Sequence, residues 1–121
     1  MRVLRSTEGE NQDRTGSAIF EGEVHGHPLS EGLSSQINCS LVHFSAGART
    51  RVHRHASDQL LYVVSGIGKV GAGSEEYVVG VGDFVVIPAG EEHWHGAGDT
   101  GSPMSHMTIT LPGGETIVEG R

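Results

Sequence analysis

The chain has a single cysteine, Cys39. No internal disulfide is possible, a usage that fits a reducing compartment. Cys39 lies in the apolar segment INCSLVHF, where a buried, inert thiol is expected. Long apolar runs are also missing: none approaches the roughly 20 residues that span a bilayer. The opening MRVLRSTEGENQDR has no apolar centre of the secretory kind. These absences lead to the expectation of a cytoplasmic protein. Basic charge is scarce, with 8 Lys and Arg against 15 Asp and Glu and a formal net charge of -7. Nucleic acid and anionic lipid both require a basic face, so neither nucleic acid nor a membrane is expected as a partner. No stretch of useful length carries the period of an amphipathic helix.

Glycine, by contrast, is abundant, 19 of 121 residues, against a usual share of about 7%. It punctuates short β-branched and apolar runs, the pattern of many strands joined by tight turns. SQINCSLVHF, RTRVHRH, QLLYVVSG, IGKVGAGSEEYVVG, DFVVIPAG, EHWHGA, MSHMTITL and ETIVEG read as strands or hairpins. QLLYVVSG has the unbroken apolar character of a strand buried on both sides. IGKVGAGSEEYVVG predicts a hairpin turning at Ala72 to Ser74. The total is about ten short strands, the spacing of a sandwich or barrel. AIFEGEVHGHPL reads as an early edge strand and loop. No linker interrupts the chain, so one domain over residues 18–121 is expected, preceded by a loosely held segment 1–17.

Eight histidines are many for this length. His53 and His55 flank Arg54, and on a strand alternate residues share a face, so two imidazoles point together. Gln59 has the same parity. The intervening ASD is a plausible turn, which lets the chain fold back and set Gln59 on an adjacent strand. A fourth donor must come from elsewhere, and His93 in PAGEEHWH is the natural candidate. His25 and His27 form another H-x-H, but no third or fourth ligand follows at a matching offset, and solvated surface histidines are expected there.

The frame around His53 is more specific than the pair. Gly47, His53, His55, Gln59 and Gly66 fit G-x5-H-x-H-x3-E-x6-G with Gln in the acid slot. Gly82, Pro88, Gly90 and His93 fit G-x5-P-x-G-x2-H-x3-N, with Ala97 where Asn usually stands. The chain resembles the cupin family in both motifs, which implies an all-β double-stranded β-helix, or jelly-roll, barrel. AGART, HWHGA and MSHMTI further resemble small single-domain bacterial cupins, some related to carboxymuconolactone-decarboxylase-associated cupins and others to manganese-dependent hydroxynitrile lyases. The resemblance runs from about Ala18 to Leu111. It implies one divalent transition metal held by His53, His55, Gln59 and His93. Nitrogen and oxygen donors suit Mn, Fe, Co, Ni or Zn. Three neutral imidazoles and an amide leave the ion's charge uncancelled, which favours an anionic ligand or a developing oxyanion. Ligands that must be neutral imidazoles predict metal loss below about pH 6.

In MSHMTIT, His106, Thr108 and Thr110 share one face, and a polar face inside a barrel is expected to line a cavity. His106 is then the candidate general acid or base, in agreement with the matching M-[ST]-H stretch of the resembling lyases. His95 shares parity with His93 and is placed at the pocket. Ser40, Val42 and Phe44 share a strand face expected to form the cavity floor, with His43 pointing away. Thr50 is placed near substrate. Trp94 is expected to pack, and Arg49 and Arg51 to be solvated. These readings predict an enzyme acting on a small organic substrate, with hydroxynitrile-lyase cleavage as its concrete form. A cupin dioxygenase and a non-catalytic metal or metabolite binding module are the alternatives. A homodimer is expected, because a small barrel has sheet edges to cover.

Overall fold

The computed structural model describes residues 1–5, 7–29 and 33–119. Gly120, at the end of the expected closing strand, lies outside them. Among the described residues twelve strands form: β1 (Gln12–Asp13), β2 (Phe20–Glu21), β3 (Val24–Pro28), β4 (Asn38–Phe44), β5 (Arg49–Thr50), β6 (His53–His55), β7 (Gln59–Ala72), β8 (Glu75–Gly80), β9 (Phe84–Ile87), β10 (Trp94–Gly96), β11 (Met104–Thr110) and β12 (Thr116–Val118). A 3-10 turn at Gly98–Thr100 is the helical element among the described residues. The architecture is all-β, as the glycine-punctuated pattern implied, and is the jelly roll that the resemblance implied. Its spine runs β1-β3-β4-β11-β7-β10-β5-β2, with β8 and β9 also on β7, while β12 and β6 pair apart.

The long strand β7 holds the barrel together. Its first half pairs with β9 and β11, its second half with β8 and β10. The chain passes from one sheet to the other at Gly66, whose φ is +74°. A Cβ there would collide with the Pro103 carbonyl oxygen, so only glycine permits both the turn and the close approach of β11. The other motif glycines Gly47, Gly82 and Gly90 also have positive φ, which gives the sequence frame a conformational reason. The hairpin expected at Ala72 to Ser74 is present, with Ala72 opposite Glu75.

Three features depart from the sequence reading. RTRVHRH is two strands: β5 joins β2 and β10, whereas β6 pairs with β12. Gln59 therefore does not sit beside β6 but opens β7, next to β9. β7 is not buried on both sides. Leu61 and Val63 are buried while Tyr62 and Val64 are exposed, so its apolar run covers one inward and one outward face. Finally, β1 falls inside the segment expected to be loose and hydrogen-bonds to β3 with Gln12 opposite Gly26.

Cross-strand register defines the inward face. Val24, Phe44 and Met104 lie in one row, Gly26, Val42 and His106 in the next, and Pro28, Ser40 and Thr108 in the third. The first row is closed core, with Val24 0%, Phe44 2% and Met104 1% exposed. Toward the third row Ser40, Thr108 and Thr110 are only half-buried, so the barrel opens at that end. Replacing Gly66 by Ala is predicted to destabilise the protein by about 3 kcal/mol, since backbone strain and overpacking add. Gly73→Ala, at φ +60° with open space around it, is predicted to cost about 1 kcal/mol. Urea denaturation of both variants measures the difference.

Candidate metal centre

His53 and His93 face each other across an antiparallel bridge, each N–H donating to the other's carbonyl at 2.9 Å. His55 follows on the same side of β6. The three rings gather, with centroids 4.3 Å apart for His53–His93, 4.9 Å for His53–His55 and 5.5 Å for His55–His93. One ligand nitrogen from each lies within 4.8 Å of the others.

Hydrogen bonds fix which nitrogen is bare. His53 Nδ1 donates to the Arg51 carbonyl at 2.8 Å and His93 Nδ1 to the Glu91 carbonyl at 2.8 Å. A carbonyl only accepts, so both protons sit on Nδ1 and each neutral ring offers Nε2 as a lone pair. His55 Nδ1 is held by Thr116 Oγ1 at 2.9 Å. Gln59 Nε2 donates to Thr108 Oγ1 at 2.8 Å, which turns Oε1 toward His93 Nε2, 3.0 Å away. Two acceptors therefore meet with no proton between them while His93 is neutral. His53 Nε2 and His55 Nε2 are buried with no hydrogen-bond partner. Orphaned buried acceptors cost about 1–3 kcal/mol each. A divalent cation would relieve these lone pairs together, with His55 in its Nδ1–H tautomer, so the residues fit the group that the sequence implied.

Burial dominates the electrostatics. It pulls His53 down from the usual 6.5 to about 4, against the opposing hydrogen bond to Arg51. His55 and His93 are lowered for the same reason. The rings are thus neutral near pH 7, as ligation requires.

A second histidine pair lies beside the first group. His106 Nε2 and His95 Nδ1 are 2.8 Å apart, and the His95 ring is 5.4 Å from that of His53. His95 Nε2 and His106 Nδ1 have no partner. Desolvation holds His95 well below its ordinary range and His106 at about 4. His106 faces inward as expected, but its ring contacts are with His95 and Phe44, so His95 stands between it and the metal ligands.

The other candidate residues sort by contact. Phe44 packs on His106 and His95 at 5.4 and 6.0 Å between ring centroids. Val42, Ser40, Thr108 and Thr110 share the inward face. Thr108 also has a role the sequence did not suggest, since its hydroxyl orients the Gln59 amide. Thr50 is 0% exposed and its Oγ1 accepts the His95 N–H at 3.1 Å, so it braces β10 beside the histidines. Arg49 is not solvated but lies 3.7 Å over the Trp94 ring, and Arg51 pairs with Glu21. His43 points away, to Ser105 Oγ at 2.7 Å. His25 and His27 bond to Glu23 and to the Glu8 carbonyl, apart from the cluster. Cys39 is half-buried, with its thiol pushed up by burial. Ala97, in the slot where Asn is usual, is 0% exposed and offers no donor. Thr116 escaped the sequence reading: it holds His55 from 61 residues away, a distance no spacing rule reaches.

Fold and site together define a cupin. The family described as the cupin domain matches residues 40–110, and the chain belongs to it. It is 37% identical over 94 residues to the (R)-mandelonitrile lyase of Granulicella tundricola, covering 74% of this chain and 70% of that protein. Among solved structures, a cupin-like protein from Thermotoga maritima has a TM-score of 0.78 at 28% identity, covering 90% of this chain and 86% of that one. The polyketide cyclase RemF of Streptomyces resistomycificus has a TM-score of 0.81 at 16% identity, covering 100% and 88%, a likeness of fold alone. No helix among the described residues is long and apolar enough to cross a membrane.

Two predictions follow from this geometry. Thr108→Val frees the Gln59 amide to turn and is predicted to weaken Mn(II) binding by about 10- to 100-fold, with Thr108→Ser restoring it; calorimetric titration measures both. The metal-free protein should lose stability with acid. His53 and His106 have folded values of about 4, below the unfolded value near 6.5. The unfolded chain binds more protons in that window, so stability is full above about pH 6.5 and falls as the pH drops toward 4. The same burial shifts metal loss below the pH of about 6 expected for unperturbed histidines. Thermal melts of metal-free protein across that range check the slope, and a flat profile contradicts it.

Proposed function

We propose that this chain is a metal-dependent lyase that cleaves the C–C bond of a cyanohydrin to release cyanide and an aldehyde. The observation that carries the reading is the unshared 3.0 Å approach of His93 Nε2 and Gln59 Oε1 beside two orphaned imidazoles. It gives a donor set without a carboxylate. The 37% identical (R)-mandelonitrile lyase supports the choice of reaction.

A divalent ion such as Mn, Fe, Co, Ni or Zn held by His53, His55, Gln59 and His93 supplies uncancelled positive charge for the substrate oxygen as it becomes anionic. The proton belongs to the second histidine pair. With His95 Nδ1–H donating to His106 Nε2, His95 Nε2 carries the lone pair and takes the hydroxyl proton. The O–H electron pair forms the carbonyl, the bond to the nitrile carbon breaks, and cyanide leaves with the C–C bonding pair and takes the proton back from His95 as HCN. His106, the base suggested by the sequence, thus fixes the tautomer of His95 and shares its charge. Burial keeps both rings neutral before substrate arrives. Val42 and Ser40 on the inward face hold the organic part of the substrate, and Phe44 closes the floor beneath the histidines.

Mn(II)-loaded protein is predicted to release cyanide from mandelonitrile at least about 100-fold faster than the His53→Ala variant, the scale of lost oxyanion stabilisation. A rate equal to that of the variant removes the lyase reading.

A further inference from the structure

We propose that Arg14 is a carboxylate-recognition residue at the edge of the barrel interior, so that the natural substrate carries an acid group distant from its reacting end. This rests on the reading of the inward face as a substrate cavity, and it adds a substrate class to that reading.

The placement follows from register. Gly26 lies directly opposite Val42, and Val42 opposite His106. Directly paired residues share a sheet face, so the bare Cα of Gly26 turns its missing side chain inward. That space is filled by Arg14. A Cβ on Gly26 would meet Arg14 Nε at 3.0 Å, Cζ at 3.3 Å and Cγ at 3.4 Å. The arginine therefore lies over the inner surface of β3, in the row that continues through Val42 to His106. Strand spacing puts Gly26 about 10 Å from His106 along this row.

The charge of Arg14 is not cancelled. Its Nη2 donates to Gln12 Oε1 at 2.8 Å, a neutral acceptor that orients the guanidinium without neutralising it. Among the described residues of the barrel, Arg51 pairs with Glu21, Arg54 with Glu92 and Glu119, and Lys69 with Glu76 and Asp99. Arg49 lies over Trp94. Arg14 alone among these cations has neither an acid nor an aromatic face. It is half-buried, just after the edge strand β1. In a chain of net charge -7, an unpaired guanidinium on the inward face selects an anion that enters the barrel. The planar fork of arginine suits a carboxylate, held by two parallel hydrogen bonds.

The test uses a rigid probe with an aldehyde at one end and an acid at the other. 4-Formylbenzoate and its neutral analogue 4-formylbenzamide are titrated calorimetrically into wild type, Arg14→Gln and Arg14→Lys, each Mn(II)-loaded and metal-free. The ratio of the two dissociation constants is the readout, and Arg14→Gln subtracts any attraction of the carboxylate to the ion. Wild type is expected to favour the carboxylate about tenfold more than Arg14→Gln does, as for one charge-assisted pair, with Arg14→Lys between them. Equal ratios in wild type and Arg14→Gln overturn the assignment. A ratio difference in protein that releases no cyanide supports Arg14 and removes only the lyase reading. Cyanide release with equal ratios removes only Arg14.

Discussion

The site depends on lone pairs that converge with nothing to share. His53 and His93 each fold the ring back so that Nδ1 reaches the carbonyl two residues earlier, Arg51 and Glu91. This one local device, used twice, sets both tautomers and turns both Nε2 atoms toward a common point. Gln59 completes the arrangement because Thr108 takes its amide hydrogen and leaves only oxygen to face His93. Neutral acceptors held this closely repel one another, and a cation among them relieves that repulsion, so the hydrogen-bond network fits a metal ligand set.

The barrel makes that arrangement possible. β7 serves both sheets and changes between them at Gly66, and the polar side chains Thr50, His53, Gln59, His93, His95 and His106 are all buried within the fold. A buried polar cluster of this size is destabilising unless its members bond to one another. Here they largely do: Thr50 supports the β10 backbone, His95 meets His106, His53 and His93 rest on carbonyls and His55 on the Thr116 hydroxyl. The atoms left over, on His53, His55, His95 and His106, have no hydrogen-bond partner among the described residues. Stability has been given up where chemistry needs open valences.

Much of this was legible in the residues. Alternation on MSHMTIT put His106, Thr108 and Thr110 on one inward face because strand parity is a local property. The motif spacing brought His53, His55, Gln59 and His93 to one region, and the motif glycines are the positions where the backbone turns through positive φ. What escaped was non-local or depended on neighbours. The break at Arg51 and Val52 left no turn residue to announce it. The bond from the His95 backbone to Thr50 is made across strands, and Thr116 is brought to His55 by β12, whose pairing with β6 no pattern encodes. Arg14 was hidden inside a segment polar enough to read as loose, and its place appears only once β1 is seen to pair with β3.

The most direct measurement of the central claim is X-ray absorption at the metal edge of the protein after equilibration with Mn(II) and removal of free ion. Uptake of one ion per chain, with three imidazoles in its first coordination sphere and oxygen donors completing it, is the predicted result. Failure to retain any transition ion, or an ion whose spectrum shows no imidazole scattering and is unchanged when His53 and His93 are replaced, contradicts it.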